Sequence, residues 1–176
     1  MPLAESALVV LVPEAEALVK PFRDLYDASA AAGVPAHITL LYPFRPPDRI
    51  DEVMLEGLRD MFARFAPIRF SLAAPRRFPD VLYLPPEPDE PFRQLTLAIR
   101  DRYPDTPPYG GKWPEIVPHL SVAMLADAQQ LDTIAADFAQ ASQGRLPIGA
   151  AATEVALMDN RSGRWLIRDK FGLGAE

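Results

Sequence analysis

The sequence predicts a single compact domain of mixed strands and helices that is built from two similar halves. Its 176 residues suffice for one domain with a substantial buried core. Apolar residues follow strand and helix periodicities in turn along the chain. The order strand, helix, strand, helix, strand occurs twice, and each copy carries one of the chain's two histidines on its middle strand.

The first half begins with a buried strand predicted at residues 7–12, where apolar and β-branched side chains run together. Helical composition follows over residues 14–31. Because proline has no amide hydrogen to donate inside a helix, we expect the regular helix to begin near Lys20, with Pro21 in its first turn. The half continues with a strand at 36–42, an amphipathic helix at 48–66 and a strand at 68–73.

The second half repeats this order after a proline-rich stretch. The distance from the histidine to the next strand is similar in both halves, 31 residues from His37 to Ile68 and 29 residues from His119 to Ile148. We expect two lobes near residues 1–75 and 80–176, an arrangement that leaves room for strands exchanged between lobes. The predicted elements are strands at 81–84 and 119–124, helices at 91–103 and 126–141, and strands at 147–158 and 164–171, while the letters PFR occur at 21–23 and at 91–93.

Composition narrows the class of protein. The chain has no cysteine, which excludes disulfides, thiolate catalysis and cysteine-based zinc sites and fits a reducing compartment, so we expect a cytoplasmic protein. A net charge of −6 disfavours binding to duplex DNA, which requires a surplus of basic residues. No stretch approaches the roughly 20 apolar residues of a membrane span. The first residues lack the basic n-region of a signal peptide, so we read them as a strand. We expect a monomer without a membrane partner.

Both histidines lie in the same local pattern: histidine, apolar residue, small hydroxyl residue, apolar residue. Residues 37–40 are HITL and residues 119–122 are HLSV. Because side chains alternate faces along a strand, His37 shares a face with Thr39, and His119 shares a face with Ser121. The interleaved apolar residues are expected to pack under helices. If the halves are pseudo-symmetric, the two polar faces meet across one cleft.

Two histidine–hydroxyl pairs suit the chemistry of a phosphate ester. Imidazole has an unperturbed pKa of about 6.5, so near neutral pH one ring accepts a proton from water or a hydroxyl group while the other, protonated, donates to the leaving oxygen. The hydroxyl groups of Thr39 and Ser121 donate hydrogen bonds to non-bridging phosphate oxygens. Two histidines without cysteines or H-E-x-x-H spacing make a poor zinc set, so we expect no metal and no other cofactor. Which histidine is the acid and which is the base stays open.

Other catalytic templates are missing. The chain has no G-x-G-x-x-G after a strand and no G-x-S-x-G. The sequence GGK at residues 110–112 lacks both the first glycine of a phosphate-binding loop and the Ser or Thr that should follow the lysine. Composition does not exclude a Ser–His–Asp triad, but no serine lies in an elbow-like context.

At these motifs the sequence resembles the two-histidine (2H) phosphoesterase superfamily, and more closely its 2′-5′ RNA ligase-like, cyclic phosphodiesterase branch. That family is named for two H-x-[ST]-x motifs, which residues 37–40 and 119–122 match. Flanking segments at residues 33–44, 81–88 and 163–174 also resemble the family. The resemblance therefore extends over nearly the whole chain.

The resemblance implies an α+β fold of two pseudo-symmetric lobes, with antiparallel sheets and outer helices around a central cleft. It implies that His37 and His119 are the catalytic acid and base and that Thr39 and Ser121 hold the phosphate. Family members hydrolyse 2′,3′-cyclic phosphates or 2′,5′ linkages, and some join RNA ends reversibly without ATP. The substrate implied here is a small nucleotide or the phosphate ester of an RNA end. Because the chain is acidic and has no broad basic surface to bind RNA, it fits hydrolysis better than ligation.

Several residues near the motifs are candidate substrate contacts. Aromatic side chains flanking the motifs could stack on a base or belong to the core, and Arg45 could bind phosphate. The loop at residues 102–118 is either a functional element beside His119 or a packed surface loop. Basic residues near the end of the chain are either a local strip or scattered solvated charges. The aromatic candidates are Tyr42, Phe44, Tyr109 and Trp113, and the basic residues are Arg161, Arg164, Arg168 and Lys170.

Two other functions stay open beside cyclic phosphodiesterase. The first is a non-catalytic module that binds a nucleotide or an RNA end, against which the two intact motifs argue. The second is a phosphodiesterase acting on a cyclic phosphate metabolite that is not a nucleic acid.

Overall fold

The computed structural model describes residues 2–113 and 115–174. Within them, ten strands form two antiparallel sheets, accompanied by five α-helices, none of which is long and apolar enough to cross a bilayer. The strands are β1 (Ser6–Leu11), β2 (His37–Leu41), β3 (Ile68–Leu72), β4 (Arg76–Phe78), β5 (Val81–Leu84), β6 (Pro86–Glu87), β7 (Leu120–Met124), β8 (Ile148–Ala152), β9 (Glu154–Asp159) and β10 (Leu166–Gly172). The helices are α1 (Pro13–Tyr26), α2 (Ala28–Ala31), α3 (Glu52–Phe62), α4 (Glu90–Arg102) and α5 (Ala128–Ala141).

The two halves of the chain meet in both sheets. The larger sheet has the order β10–β9–β1–β2–β7–β5–β4, so the two histidine strands, β2 and β7, are neighbours near its centre. The smaller sheet has the order β6–β3–β8, in which the last strands of the two predicted repeats pair antiparallel. The predicted α+β fold with antiparallel sheets is therefore confirmed. The lobe boundaries stay a prediction, although β9, from the end of the chain, does pair with β1 from its beginning.

Each histidine strand carries a β-bulge at the same position relative to its histidine. Between β1 and β2 the register skips one residue after Thr39, so that Leu40 faces no residue of β1. Between β5 and β7 it skips one residue after Ser121, so that Val122 faces no residue of β5. Bulges of this kind bend a strand and re-aim its side chains. Their matching positions support an internal duplication.

The helix that precedes each histidine strand packs against the histidine strand of the other half. Helix α1 lies on β7 and buries Ala15, Leu18 and Val19, while α4 lies on β2. The buried hydroxyl of Thr96 in α4 donates to the carbonyl of Leu40 at 2.9 Å. This hydrogen bond satisfies a buried acceptor at the bulge of the first histidine strand.

The first helix begins earlier than predicted. It starts at Pro13, where a missing amide hydrogen costs nothing because first-turn amides have no partner within the helix. Pro21 lies inside the helix and not in its first turn, so the prediction of a start near Lys20 was wrong. Burial of Leu18 and Val19 before the proline and of Arg23 after it holds the helix on both sides of Pro21 and outweighs the local cost of the proline.

Other boundaries differ for local reasons. The predicted strand at 147–158 is two strands, β8 and β9, which belong to different sheets and separate at Thr153. The alanine-rich run contains no turn residue that would have indicated this break. The predicted helix at 48–66 is a short 3₁₀ turn at Pro47–Arg49 followed by α3, whose start is capped by the Asp51 carboxylate accepting from the Met54 amide at 2.9 Å. The short strands β4 and β6 were missed.

Candidate active site

The pairing of β2 with β7 brings the two histidine motifs together. Ile38 and Leu120, the second residues of the two motifs, lie directly opposite each other in this antiparallel pair. In an antiparallel pair, residues equally far before and after such a point also face each other. The histidine of each motif therefore lies opposite the hydroxyl residue of the other motif.

These four polar side chains share one face of the sheet. Continuing the register sets His37 opposite Ser121 and Thr39 opposite His119. All four are partly buried, whereas the residues between them are fully buried. Directly opposed residues have Cβ atoms about 4.5–5.5 Å apart. The structure thus brings together the four residues that the sequence predicted as the catalytic and phosphate-binding set.

Each imidazole is held by the same backbone contact. The Nδ1 atom of His37 lies 2.8 Å from the carbonyl oxygen of Pro35, and that of His119 lies 2.7 Å from the carbonyl oxygen of Val117. Because a carbonyl oxygen only accepts hydrogen bonds, Nδ1 carries the proton and donates in both rings. In a neutral ring the lone pair is then on Nε2, which is the atom available to take a proton from a substrate or from water.

Burial keeps both imidazoles neutral. It lowers the pKa of His37 to about 4, with a further lowering from the Arg23 guanidinium and a smaller opposing effect from the Pro35 carbonyl and from Asp27. Burial also lowers the pKa of His119. In the free protein at pH 7 both rings therefore carry no charge. A phosphate anion bound between the two rings would raise both pKa values.

Two aromatic side chains hold the second histidine. The imidazole of His119 lies edge-to-face against Phe78, with ring centroids 5.2 Å apart, and against Tyr83 at 5.5 Å. Phe78 and Tyr83 stack on each other at 4.3 Å. Such contacts fix the ring orientation and exclude water from one side. Sequence reasoning missed this pair because β4 was not predicted, although Tyr83 lay in a predicted strand.

Tyr109 approaches the first motif from the loop before His119. Its amide donates to the carbonyl of Tyr42 at 2.6 Å, and its φ of 51° lies in the left-handed region that few residues with a side chain adopt. Burial raises the pKa of Tyr109, and a hydrogen bond from Thr39 opposes this only in part. Tyr109 is therefore a neutral phenol beside the hydroxyl group of Thr39.

The two aromatic residues just after the first motif are already engaged within the protein. The hydroxyl of Tyr42 donates to the carboxylate of Glu5 at 2.7 Å, and burial together with Glu5 raises the pKa of Tyr42 to about 12. Phe44 is only 4% exposed and packs edge-to-face on Tyr103 at 5.3 Å. The structure therefore places Phe44 in the core and does not bring it to the histidines, because burial of its ring stabilises the fold.

Arg45 and Trp113 differ in their availability to a ligand. The guanidinium of Arg45 forms an ion pair with Asp105 at 2.6 Å. The side chain of Trp113 is 60% exposed, and the Lys112 ammonium lies 5.1 Å from its ring centroid. Trp113 thus presents an aromatic surface beside a cation.

The basic residues near the end of the chain each contact an acceptor. They are engaged by carbonyl and carboxylate groups of the protein, and two of them, Arg161 and Arg168, lie beside the same Asp159 carboxylate. The partners are the Asp159 carboxylate for Arg161, the Ala31 carbonyl for Arg164, the Pro47 and Ile50 carbonyls for Arg168, and the Glu154 carboxylate for Lys170. In the part of the chain that the structure describes, no three His, Asp or Glu side chains converge as a metal-ligand set.

Sequence similarity decides the family. A model of the 2′-5′ RNA ligase superfamily matches residues 11–164, a span that includes both histidine motifs. The chain belongs to the 2′-5′ RNA ligase superfamily. This membership confirms the resemblance to the 2H phosphoesterases. No curated protein matches the chain in sequence.

Solved structures share the fold of this superfamily member at low sequence identity. A structure described only as a phosphoesterase is 15% identical, with a TM-score of 0.59, and the match covers 97% of this chain and 98% of that one. E. coli LigT complexed with NADP+ is 18% identical, with a TM-score of 0.57 and 99% of both chains covered. TT0787 of Thermus thermophilus is 18% identical, with a TM-score of 0.57, covering 98% of this chain and 99% of that one. At these identities the similarity establishes the fold alone.

Proposed function

We propose that this protein is a cytoplasmic, metal-independent phosphoesterase that hydrolyses a 2′,3′-cyclic phosphate or a 2′,5′-phosphodiester of a nucleotide or RNA end. His37 and His119 act as the acid–base pair, and Thr39 and Ser121 bind the phosphate. The observation that carries this proposal is the pairing of Ile38 with Leu120, which brings the two motifs together, with both Nδ1 atoms occupied by backbone carbonyls. Family membership and the crystallisation of E. coli LigT with 3′-AMP support a nucleotide substrate.

The chemistry follows from the two Nε2 atoms. One neutral imidazole accepts a proton from water through Nε2 as the water oxygen forms a bond to phosphorus. The other imidazole, protonated on substrate binding, donates its proton to the ester oxygen as the bond from that oxygen to phosphorus breaks. The hydroxyl groups of Thr39 and Ser121 donate to the non-bridging oxygens, where negative charge accumulates. The products are a phosphate monoester and a free hydroxyl group when the substrate is a cyclic phosphate.

Residues around the pair provide the contacts to the rest of the substrate. We expect Tyr109, beside Thr39, to donate its phenol hydrogen to the phosphate and the exposed ring of Trp113 to stack on a base. Tyr42 and Arg45 contribute by holding the loops beside the first motif. A net charge of −6 favours hydrolysis of a small ester over ligation of long RNA, and one chain carries the complete set of four residues, so a monomer suffices.

The test is hydrolysis of 2′,3′-cyclic nucleotides in the presence of EDTA. We expect activity to persist with EDTA and to fall by about 10²–10⁴-fold in His37→Gln and in His119→Gln. Arg161→Gln, which changes an exposed side chain in the turn before β10, is the control and should retain wild-type activity. Full activity in both histidine variants would overturn the proposal. Nucleotide binding by calorimetry without turnover on any ester would show a binding module instead.

A further inference from the structure

A buried ion pair lies near the end of α1. The side chain of Arg23 is almost wholly buried, at 1% exposure, and its Nε donates to Asp27 Oδ2 at 3.0 Å. Its Nη2 donates to Ser29 Oγ at 3.1 Å, and Ser29 Oγ donates to Asp27 Oδ1 at 2.7 Å. A buried guanidinium is stable only when it is paired and hydrogen-bonded in this way. We call these three residues the Arg23 network.

The Arg23 network connects through the Val34 amide to the segment whose carbonyl holds the first imidazole. The Ser29 amide also donates to Asp27 Oδ1, at 3.0 Å. The carbonyl of Ser29 accepts from the Val34 amide at 2.9 Å. Pro35 follows Val34, and its carbonyl accepts from Nδ1 of His37 at 2.8 Å. The network therefore fixes the segment that sets both the position and the tautomer of His37.

The matching position in the second half is built differently. Arg93 occupies the place of Arg23 in the second PFR sequence, but its side chain is 35% exposed and pairs with Asp89 at 2.7 Å. Its Nε donates to the carbonyl of Ile116 at 3.0 Å, three residues before His119. The cation of the first half is thus buried with its partners, whereas the cation of the second half is partly solvated. This difference breaks the pseudo-symmetry of the two histidines.

We infer that Arg23 is a positioning residue that makes His37 the proton-accepting member of the histidine pair. The inference rests on the proposed function, in which one imidazole takes a proton while the other supplies one. A buried guanidinium close to an imidazole opposes a second positive charge there. When a phosphate anion binds, His119 is therefore the ring that becomes charged, and His37 stays neutral and able to act as the base.

The charges around His37 support this direction. The Arg23 guanidinium adds to burial in lowering the pKa of His37, and a charge on the other imidazole lowers it further. Asp27 raises this pKa, but its effect is smaller than that of Arg23. Two other groups lie nearby: the Glu16 carboxylate, which accepts from the amide preceding the histidine at 2.6 Å, and the neutral phenol of Tyr109 beside the first motif. The net effect of the Arg23 network is to keep His37 neutral.

Imidazole titration by NMR tests the inference without relying on activity. The chain has two histidines, so the two titrating rings are assigned with His119→Gln. Arg23→Gln removes the charge while keeping a side chain that donates to Asp27. We expect it to raise the pKa of His37 by about one unit or more and to leave that of His119 unchanged. Arg23→Lys, which keeps a cation, should restore most of the lowering.

The matched control is Lys20→Gln, which removes a cation from the same helix where it forms an exposed pair with Asp24. It should move neither pKa. If Arg23→Gln does not fold, the double variant Arg23→Met with Asp27→Asn leaves no unpaired buried charge and should still raise the pKa of His37, by a smaller amount. The inference would be overturned if the pKa of His37 in the folded Arg23 variants equals that of the wild type, or if the pKa values of both histidines shift equally.

The pH dependence of kcat/KM gives a second test, for which the direction of the expected shift is known. A base must be neutral, so kcat/KM falls as pH drops through the pKa of His37 in the free enzyme. In Arg23→Gln this acidic limb should move to higher pH, while in Lys20→Gln it should not. If the NMR shift occurs but the wild-type protein hydrolyses no ester, the inference about charge holds and the proposed function fails. If hydrolysis occurs but the pKa of His37 does not move, the proposed function holds and the inference fails.

Discussion

Ile38 of β2 lies directly opposite Leu120 of β7, and this contact between two fully buried apolar residues determines the geometry of the active site. Each is the second residue of its motif, so the next residue on either side sets a histidine opposite a hydroxyl group. A slip of one residue would turn every polar side chain of one strand into the core. Burial of Ile38 and Leu120 therefore specifies the catalytic arrangement through packing.

The first prediction concerns the hydroxyl groups in this arrangement. Thr39→Val and Ser121→Ala should each lower kcat/KM on a 2′,3′-cyclic nucleotide by about 10- to 100-fold, because each loses a hydrogen bond to a charged phosphate, worth about 1.5–3 kcal/mol. Valine has the shape of threonine and suits a strand, so the fold should be unchanged. Steady-state kinetics, with circular dichroism to verify folding, measure the effect.

The control for these variants is Thr133→Val in α5, where the lost hydroxyl is exposed and donates to the Gln129 carbonyl of its own helix. It should retain wild-type kcat/KM. Wild-type activity in both Thr39→Val and Ser121→Ala would show that neither hydroxyl group binds the phosphate.

The sequence was informative about what lies on each strand and less so about which strands meet. The repeated motif predicted that the polar residues of each strand share a face, because alternation along a strand is local. It did not reveal that the two histidine strands are direct neighbours, since strand order depends on packing between distant segments. The aromatic pair around His119 was missed for the same reason: Phe78 belongs to a three-residue strand that takes its form only by pairing with β5.

Buried polar residues were the hardest to predict. Arginine is mostly exposed in proteins, yet Arg23 is buried in α1, and its burial depends on Asp27 and Ser29. Thr96 likewise lies in an ordinary helical sequence, yet it contacts the bulge of the first histidine strand. The residues placed by local alternation along the two strands were predicted, whereas Arg23, Thr96 and Phe78, which depend on tertiary contacts, were not.

The second prediction tests the contact of α4 with the bulge. Thr96→Val should lower the free energy of unfolding by about 1–3 kcal/mol, because the carbonyl of Leu40 then loses its buried donor. Urea denaturation measures this value. Thr133→Val, on the exposed side of α5, should change it by less than about 0.5 kcal/mol. Equal stability of the two variants would mean that the Leu40 carbonyl finds another partner.

The third prediction concerns acid stability. The pKa of His37 is about 4 in the folded protein, below its unfolded value of 6.5. Between these values the unfolded chain binds more protons at this residue than the folded protein does. The free energy of unfolding is therefore not reduced by His37 above pH 6.5, and it decreases as pH falls toward 4. His37→Gln should reduce this loss, which urea denaturation at about pH 7.5, 6 and 5 measures. Carboxylates titrate in both proteins and add the same decline to each. If the total decline is identical in wild type and variant, the pKa of His37 is not lowered in the folded protein.

The last prediction concerns the hydroxyl of Tyr109 beside Thr39. Tyr109→Phe keeps the ring and the left-handed backbone but removes the phenol hydrogen that we expect to reach the bound phosphate. KM for a 2′,3′-cyclic nucleotide should rise by about 10-fold, because the substrate loses one hydrogen bond to its charged phosphate. The change in kcat should be smaller. Tyr26→Phe, which removes the hydroxyl of a tyrosine packed against the core, should leave both constants unchanged. If KM stays at the wild-type value in Tyr109→Phe, the phenol does not contact the substrate and its position reflects loop packing alone.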